Sequence, residues 1–103
     1  MNNVERRYIL SYILKTVPQN ALYEALSEEL CELAKVLLKK NRVLGNGNPT
    51  PVTEEEVDAA IVEETTDVML CLAVLDIQGS KRLFDKKLER WYLRLKEQEN
   101  QNE

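Results

Sequence analysis

The sequence predicts an all-α protein of four helices, and three observations support this class. Apolar residues recur at helical spacing in four separate stretches, and none alternates in the manner of a strand. Turn-forming residues lie between these stretches, above all in residues 45–51. A length of 103 residues suits one domain with a modest core. We therefore expect a single helical domain over residues 1–103.

Prolines and apolar spacing predict the first two helices. The first is expected over about 4–15, because apolar side chains recur there three and four residues apart. Pro18 ends it, since a proline disfavours helical backbone in the residue before it. Pro18 can also occupy the first turn of a second helix, which is predicted over about 18–41.

Residues 41–52 form the clearest loop of the sequence. They contain the glycines, asparagines and prolines that interrupt helices and favour turns. A plain connector between two helices is the first interpretation. A lid over a ligand site is the alternative, because loops of this length are either functional or simply mobile.

Caps define the last two helices. Thr53 and Glu56 form a capping-box pattern, which predicts a third helix from 54 to about 78. Gly79 suits its C-terminal end, and Ser80 suits the N-cap of a fourth helix over about 81–97. We expect the polar tail, residues 98–103, to fray. The fourth helix carries a narrow apolar seam of Phe84, Leu88, Trp91 and Leu95.

Acidic residues lie inside the apolar stripes of the two middle helices. At about 100° per residue and with Leu22 at zero, Glu29 falls near 340° and Glu32 near 280°. In the third helix, with Val57 at zero, Glu64 and Asp67 fall near the same two angles, about 340° and 280°. Each helix therefore presents an i, i+3 acidic pair to the side that should face the core.

Four such carboxylates predict a cation site. A buried carboxylate is costly unless it is paired, protonated or bound to a metal. If the two helices pack antiparallel, all four acids would converge and repel. The chain has no histidine, which excludes Ser-His-Asp triads and the usual zinc sets, so oxygen ligands favour Mg²⁺, Mn²⁺ or Ca²⁺. The alternative is that these acids form solvated faces paired with basic residues.

Bulk properties exclude several other functions. The net charge of −4 argues against nucleic acid as a partner. We expect no membrane association, because no apolar run is long enough to span a bilayer, and the N-terminus lacks a signal-peptide pattern. Cys31 and Cys71 have no metal-ligand spacing and are expected to be reduced thiols of a cytoplasmic protein.

The two acidic motifs carry a family resemblance. The stretch Glu28–Glu32, followed by Glu63–Val68, resembles the Glu-x-x-Glu and Glu-x-x-Asp signature of the MazG-like all-α nucleotide pyrophosphohydrolases. The resemblance covers roughly residues 21–94, including an apolar run after the second motif and a basic C-terminal helix. The short length is similar to that of compact members found in phages and bacteria.

The resemblance implies a fold, a reaction and a set of ligands. It implies a four-helix MazG-like bundle that assembles as a homodimer or homotetramer. It also implies Mg²⁺-dependent hydrolysis of a (d)NTP to the (d)NMP and pyrophosphate, with Mn²⁺ as a possible substitute, for nucleotide-pool control or house-cleaning. The metal ligands it implies are Glu29, Glu32, Glu64 and Asp67.

Four further residues are candidates for the same site. Glu28 and Glu63 adjoin the inner acids and could orient the attacking water. Lys87 and Arg90 flank the apolar seam of the fourth helix and could contact the triphosphate, whose charge exceeds what a metal neutralises. The alternative function is a non-catalytic helical interaction or regulatory module with the same fold.

Overall fold

Four α-helices make up most of the protein in a computed structural model that describes residues 1–45 and 51–101. They are α1 (Asn3–Thr16), α2 (Gln19–Val43), α3 (Glu54–Leu75) and α4 (Lys81–Gln101). Within these described residues there is no strand, so the predicted all-α class and the four helices are confirmed. Residues 46–50 of the predicted loop, and with them the proposed lid, lie outside the described residues.

Side chains cap two of the helices as predicted. The hydroxyl oxygen of Thr53 accepts a hydrogen bond from the backbone N–H of Glu56 at 3.1 Å. The hydroxyl oxygen of Ser80 accepts one from the N–H of Leu83 at 3.2 Å. Each bond satisfies an amide that has no partner within its helix. The position of Pro18 differs from the prediction: the residue lies just before α2 and not in the first turn of that helix.

The end of α3 corrects the prediction that the helix reaches residue 78 and stops at Gly79. The helix ends at Leu75, and Asp76 adopts the left-handed conformation with φ 54° and ψ 40°. The N–H of Ile77 then donates to the carbonyl of Leu72 at 2.9 Å, which is the long bond of a Schellman motif. Aspartate can serve there because its short polar side chain tolerates this backbone region better than most residues.

The packing of α2 against α3 forms the centre of the fold. At one end of the pair, the ammonium group of Lys40 lies 2.7 Å from a carboxylate oxygen of Glu54 and 2.6 Å from one of Asp58. This contact joins the last turns of α2 to the first turns of α3, so the two helices are antiparallel. The buried side chains lie in α2 and α3, and they are Leu26, Val57, Val68 and Val74.

The outer helices contribute unequally to this arrangement. α1 packs against α3, where Leu10 and Leu14 adjoin Ala73 and Val74 across a shallow groove. α4 runs to Gln101, four residues beyond its predicted end, and every one of its residues is exposed. Among the described residues, α4 forms no extensive packing with another helix. The fold therefore has a packed part, α1–α3, and a helix that extends from it.

The length and apolar character of a helix determine whether it can cross a membrane. Across residues 1–45 and 51–101, no helix combines the length and the apolar character that a passage through a bilayer requires.

Replacing the left-handed aspartate should stabilise the protein. We expect Asp76→Gly to raise the free energy of unfolding by about 0.5–1 kcal/mol, because glycine adopts positive φ without steric cost. The weak exposed bond from Gln78 to the Asp76 carboxylate would be lost, which limits the gain. Thermal and urea unfolding followed by circular dichroism measure the change.

The matched control for this prediction is Gly79→Ala. Gly79 does not have positive φ, and a Cβ there meets no atom within 4 Å. The substitution should leave stability unchanged or slightly higher. A lower melting temperature for Asp76→Gly would contradict the assignment of the helix end.

Candidate metal centre

Three carboxylates from two helices meet beside the α2–α3 interface. Glu29 comes from α2, while Glu64 and Asp67 come from consecutive turns of α3. One oxygen of each lies within 4.8 Å of the others, and all three side chains are half-buried. Residues three apart on a helix share a face, and the antiparallel packing brings that face of α3 to Glu29. The acids therefore converge as the helical angles predicted for these three positions.

The carboxylates raise one another's affinity for protons. Partial burial raises the pKa of Glu29, and the negative charges of Asp67, Glu32 and Glu28 raise it further. The closeness of the Asp67 carboxyl group acts in the same direction, since two carboxyl groups can form a hydrogen bond only when they share a proton. Partial burial and the charge of Asp67 likewise raise the pKa of Glu64. The cluster thus favours added positive charge.

The described residues supply no lysine or arginine to these three acids. The salt bridges of residues 1–45 and 51–101 lie elsewhere: at Lys40, between Lys35 and Glu32, and between Lys96 and Glu99. A divalent cation would offset the repulsion instead. The donors are all oxygens, which suits Mg²⁺, Mn²⁺ or Ca²⁺, and water or phosphate oxygens would complete the coordination of Mg²⁺.

Glu32, the fourth predicted ligand, stands at the edge of this cluster. Its charge is close enough to raise the pKa of both Glu29 and Glu64. Its own carboxylate, however, forms a salt bridge of 3.2 Å with Lys35, and the side chain is about half exposed. Glu32 would have to release Lys35 before it could serve as a ligand.

The remaining predicted residues fall into two groups. Glu28 and Glu63 are exposed beside the cluster, where their charges act on Glu29 and Glu64 respectively. Lys87 and Arg90 are exposed on α4, which does not pack along α2 or α3 in the described part of the chain. A single chain therefore brings the acids together but leaves these two cations on a separate helix.

Cys71 is a neighbour of the cluster that was not predicted at the site. Partial burial raises the pKa of its thiol, and the charges of Glu29 and Asp67 raise it further. The signal in the sequence was its spacing, one helical turn after Asp67. Cys31 and Cys71 are both free, and the thiol of Cys71 adds a neutral side chain to the wall of the site.

Comparisons of the chain with protein-family models, with curated proteins and with solved structures found no match.

The pKa shifts predict how the stability of the metal-free protein depends on pH. A carboxyl group with a raised pKa binds more protons in the folded than in the unfolded state at pH values between its ordinary 4.5 and its raised pKa. The contribution of Glu29 and Glu64 to stability therefore falls as pH rises through that window. We expect Glu64→Gln to weaken this dependence and to raise the melting temperature at pH 7.5 relative to the original chain.

Thermal unfolding in EDTA at pH 5.0 to 7.5 measures this effect. Glu24→Gln is the matched control, because Glu24 is an exposed glutamate on the opposite side of α2 and should leave the pH dependence unchanged. If Glu64→Gln and Glu24→Gln gave the same profile as the original chain, the repulsion within the cluster would be refuted.

Proposed function

We propose that the protein is a Mg²⁺-dependent nucleoside triphosphate pyrophosphohydrolase that converts a (d)NTP and water to the (d)NMP and pyrophosphate. The observation that carries this proposal is the convergence of Glu29, Glu64 and Asp67 within 4.8 Å. The resemblance of the two acidic motifs to the MazG-like signature supports it and selects this reaction among those that an oxygen-ligated cation can assist.

Each acid of the site has a role in the proposed reaction. Glu29, Glu64 and Asp67 would hold Mg²⁺, which neutralises phosphate charge and polarises the phosphoryl oxygens when bound. Glu32 would join them after releasing Lys35. The products require that water attacks phosphorus and that the bond between the α- and β-phosphates breaks. One of the two exposed neighbours, Glu28 or Glu63, would orient that water and accept its proton.

We also propose that the chain acts as a MazG-like homodimer or homotetramer. Apolar side chains are exposed along α4 and on the outer face of α3, which points away from α2 and includes Val62 and Met69. They support assembly, since isolated chains rarely expose so many. Lys87 and Arg90 would contact the triphosphate in such an assembly. House-cleaning or control of nucleotide pools would be the role of this activity in the cytoplasm.

A non-catalytic interaction module is the second candidate, and the exposure of α4 favours it. A helix that packs extensively on no other helix in the described part of the chain can serve binding as readily as catalysis. In that case the acids would be offset by basic groups of a partner, and neither Mg²⁺ nor a triphosphate would be needed.

Release of pyrophosphate tests the enzyme directly. We expect hydrolysis of at least one triphosphate from a panel of (d)NTPs with Mg²⁺ or Mn²⁺. Glu64→Gln should reduce kcat by about 100-fold or more, because it removes one anionic ligand. Glu24→Gln should retain full activity. Absence of cleavage across the panel with both metals would leave the interaction module as the better explanation.

Stabilisation by Mg²⁺ is a separate test of the cation site. A ligand that binds only the folded state at 100 times its Kd stabilises it by about 2.7 kcal/mol. Mg²⁺ should therefore raise the melting temperature of the original chain, and the increase should be lost in Glu64→Gln. The control series replaces MgCl₂ with NaCl at equal ionic strength, since general screening would affect both chains alike.

A further inference from the structure

We propose that α4 is an exchanged arm, which packs along the outer face of α3 in a second copy of this chain and brings Lys87 and Arg90 to the rim of that copy's carboxylate cluster. The packing of the arm is inferred from the exposed surfaces of α3 and α4 alone. The role of the two cations rests on the proposed function as well.

One chain leaves far more surface exposed than a compact protein of its mass. A folded monomer of 11.9 kDa should expose about 5,900 Å², whereas this chain exposes 8801 Å². Its radius of gyration is 18.7 Å, against about 13 Å for a compact domain of this length. The excess of about 2,900 Å² exceeds the roughly 800 Å² per partner of a standard interface. If two chains buried all of it, the interface would total about 5,800 Å², at the upper end of the range for obligate dimers.

The apolar seam of α4 accounts for part of this excess. At about 100° per residue, its four side chains fall within a band of about 60° along one face of the helix. All four are more than half exposed, including Trp91 at 64%. A stripe of this kind is typical of a helix that packs on another helix. The seam consists of Phe84, Leu88, Trp91 and Leu95.

The outer face of α3 offers a surface of matching shape. Its exposed residues lie opposite the face that packs on α2 and repeat at alternating intervals of three and four, as in a coiled-coil seam. Two of the four positions, Ala59 and Thr66, carry small side chains, which leave holes for the large side chains of α4. A helix that is apolar on both faces is normally covered on both. This outer seam consists of Ala59, Val62, Thr66 and Met69, and it ends where Ala73 adjoins α1.

Charge favours this pairing over the association of two α4 helices. α4 carries seven basic and four acidic side chains, whereas residues 1–80 carry seven basic and thirteen acidic ones. Lys87, Arg90 and Arg94 all lie on one flank of the α4 seam, so an antiparallel pair of α4 seams would bring like charges together. Beside the outer seam of α3 lie Glu56 and Glu63, which offer opposite charge.

The same geometry explains how the cations could reach the site. Glu63 lies between the outer seam of α3 and the cluster, and its charge already acts on Glu64. An arm whose basic flank meets Glu63 would place Lys87 and Arg90 at the open side of the carboxylates. A triphosphate bound there would have the metal on one side and these cations on the other.

Sedimentation of the full chain tests the arm, and α4 supplies a matched pair of variants. Leu88 lies in the seam and Leu93 on the opposite face, and each is 55% exposed in its own chain. We expect a dimer or larger assembly whose dissociation constant rises at least about 100-fold in Leu88→Asp and less than tenfold in Leu93→Asp. Circular dichroism should show unchanged helix content in both.

Disulfide trapping identifies the surface that receives the arm. In a background with Cys31→Ser and Cys71→Ser, a chain with Thr66→Cys is mixed with a chain with Leu88→Cys. We expect linked heterodimers on oxidation, and few when Leu93→Cys replaces Leu88→Cys. In a chain with both Thr66→Cys and Leu88→Cys, a disulfide within one monomer would show that α4 folds onto its own α3 and would overturn the exchange.

Other outcomes also overturn the proposal. They are a monomeric original chain at 50 μM, equal effects of Leu88→Asp and Leu93→Asp, or a monomer that floats with vesicles of anionic phospholipid through α4. Disulfide trapping does not depend on catalytic turnover. Its result can therefore be interpreted even if the protein does not hydrolyse triphosphates.

Complementation tests the two cations. An inactive Glu64→Gln chain and a chain with Lys87→Ala and Arg90→Ala should recover about a quarter of the original activity when they exchange subunits at random, since half the dimers are mixed and each has one complete site. Trapped dimers without any recovery would overturn the assignment of Lys87 and Arg90.

Discussion

The antiparallel packing of α2 on α3 is the constraint on which the rest of the structure depends. It buries Leu26 of α2 and Val57 and Val68 of α3, and it fixes which turns of the two helices face one another. The contact of Lys40 with the first turns of α3 sets the register at one end. A shift of one turn would separate Glu29 from the two acids of α3. The candidate metal centre is therefore a consequence of register, and not of any local loop.

The same packing holds charges together that repel. Glu29, Glu64 and Asp67 remain close because apolar contacts around them outweigh the cost of their repulsion. This is the usual relation between a cation site and its scaffold, since a preorganised ligand set is unfavourable until the ion arrives. In such a site, stability lost without the cation is regained when it binds, which makes the fold and the proposed activity respond to the same ion.

Helical phase was enough to predict the centre of the fold but not its edges. The angles of Glu29, Glu64 and Asp67 could be read from the sequence because the spacing of apolar residues defines the buried face. Two features could not be read in this way. Both Asp76 and Gly79 can adopt the left-handed conformation, so the sequence alone does not show that α3 ends at Asp76. The contact of Glu32 with Lys35 depends on rotamers, and spacing does not determine these.

The fourth helix shows why apolar pattern alone does not reveal what a helix packs against. The seam of Phe84, Leu88, Trp91 and Leu95 has the spacing of a core helix, yet every residue of α4 is exposed in its own chain. Periodicity reports that a face will be covered and says nothing about which chain covers it. Here the outer seam of α3 is uncovered as well, and its small residues match the large ones of α4. Two surfaces that residues 1–45 and 51–101 of one chain leave exposed, and that differ in charge and size in complementary ways, are explained together if two chains exchange their arms.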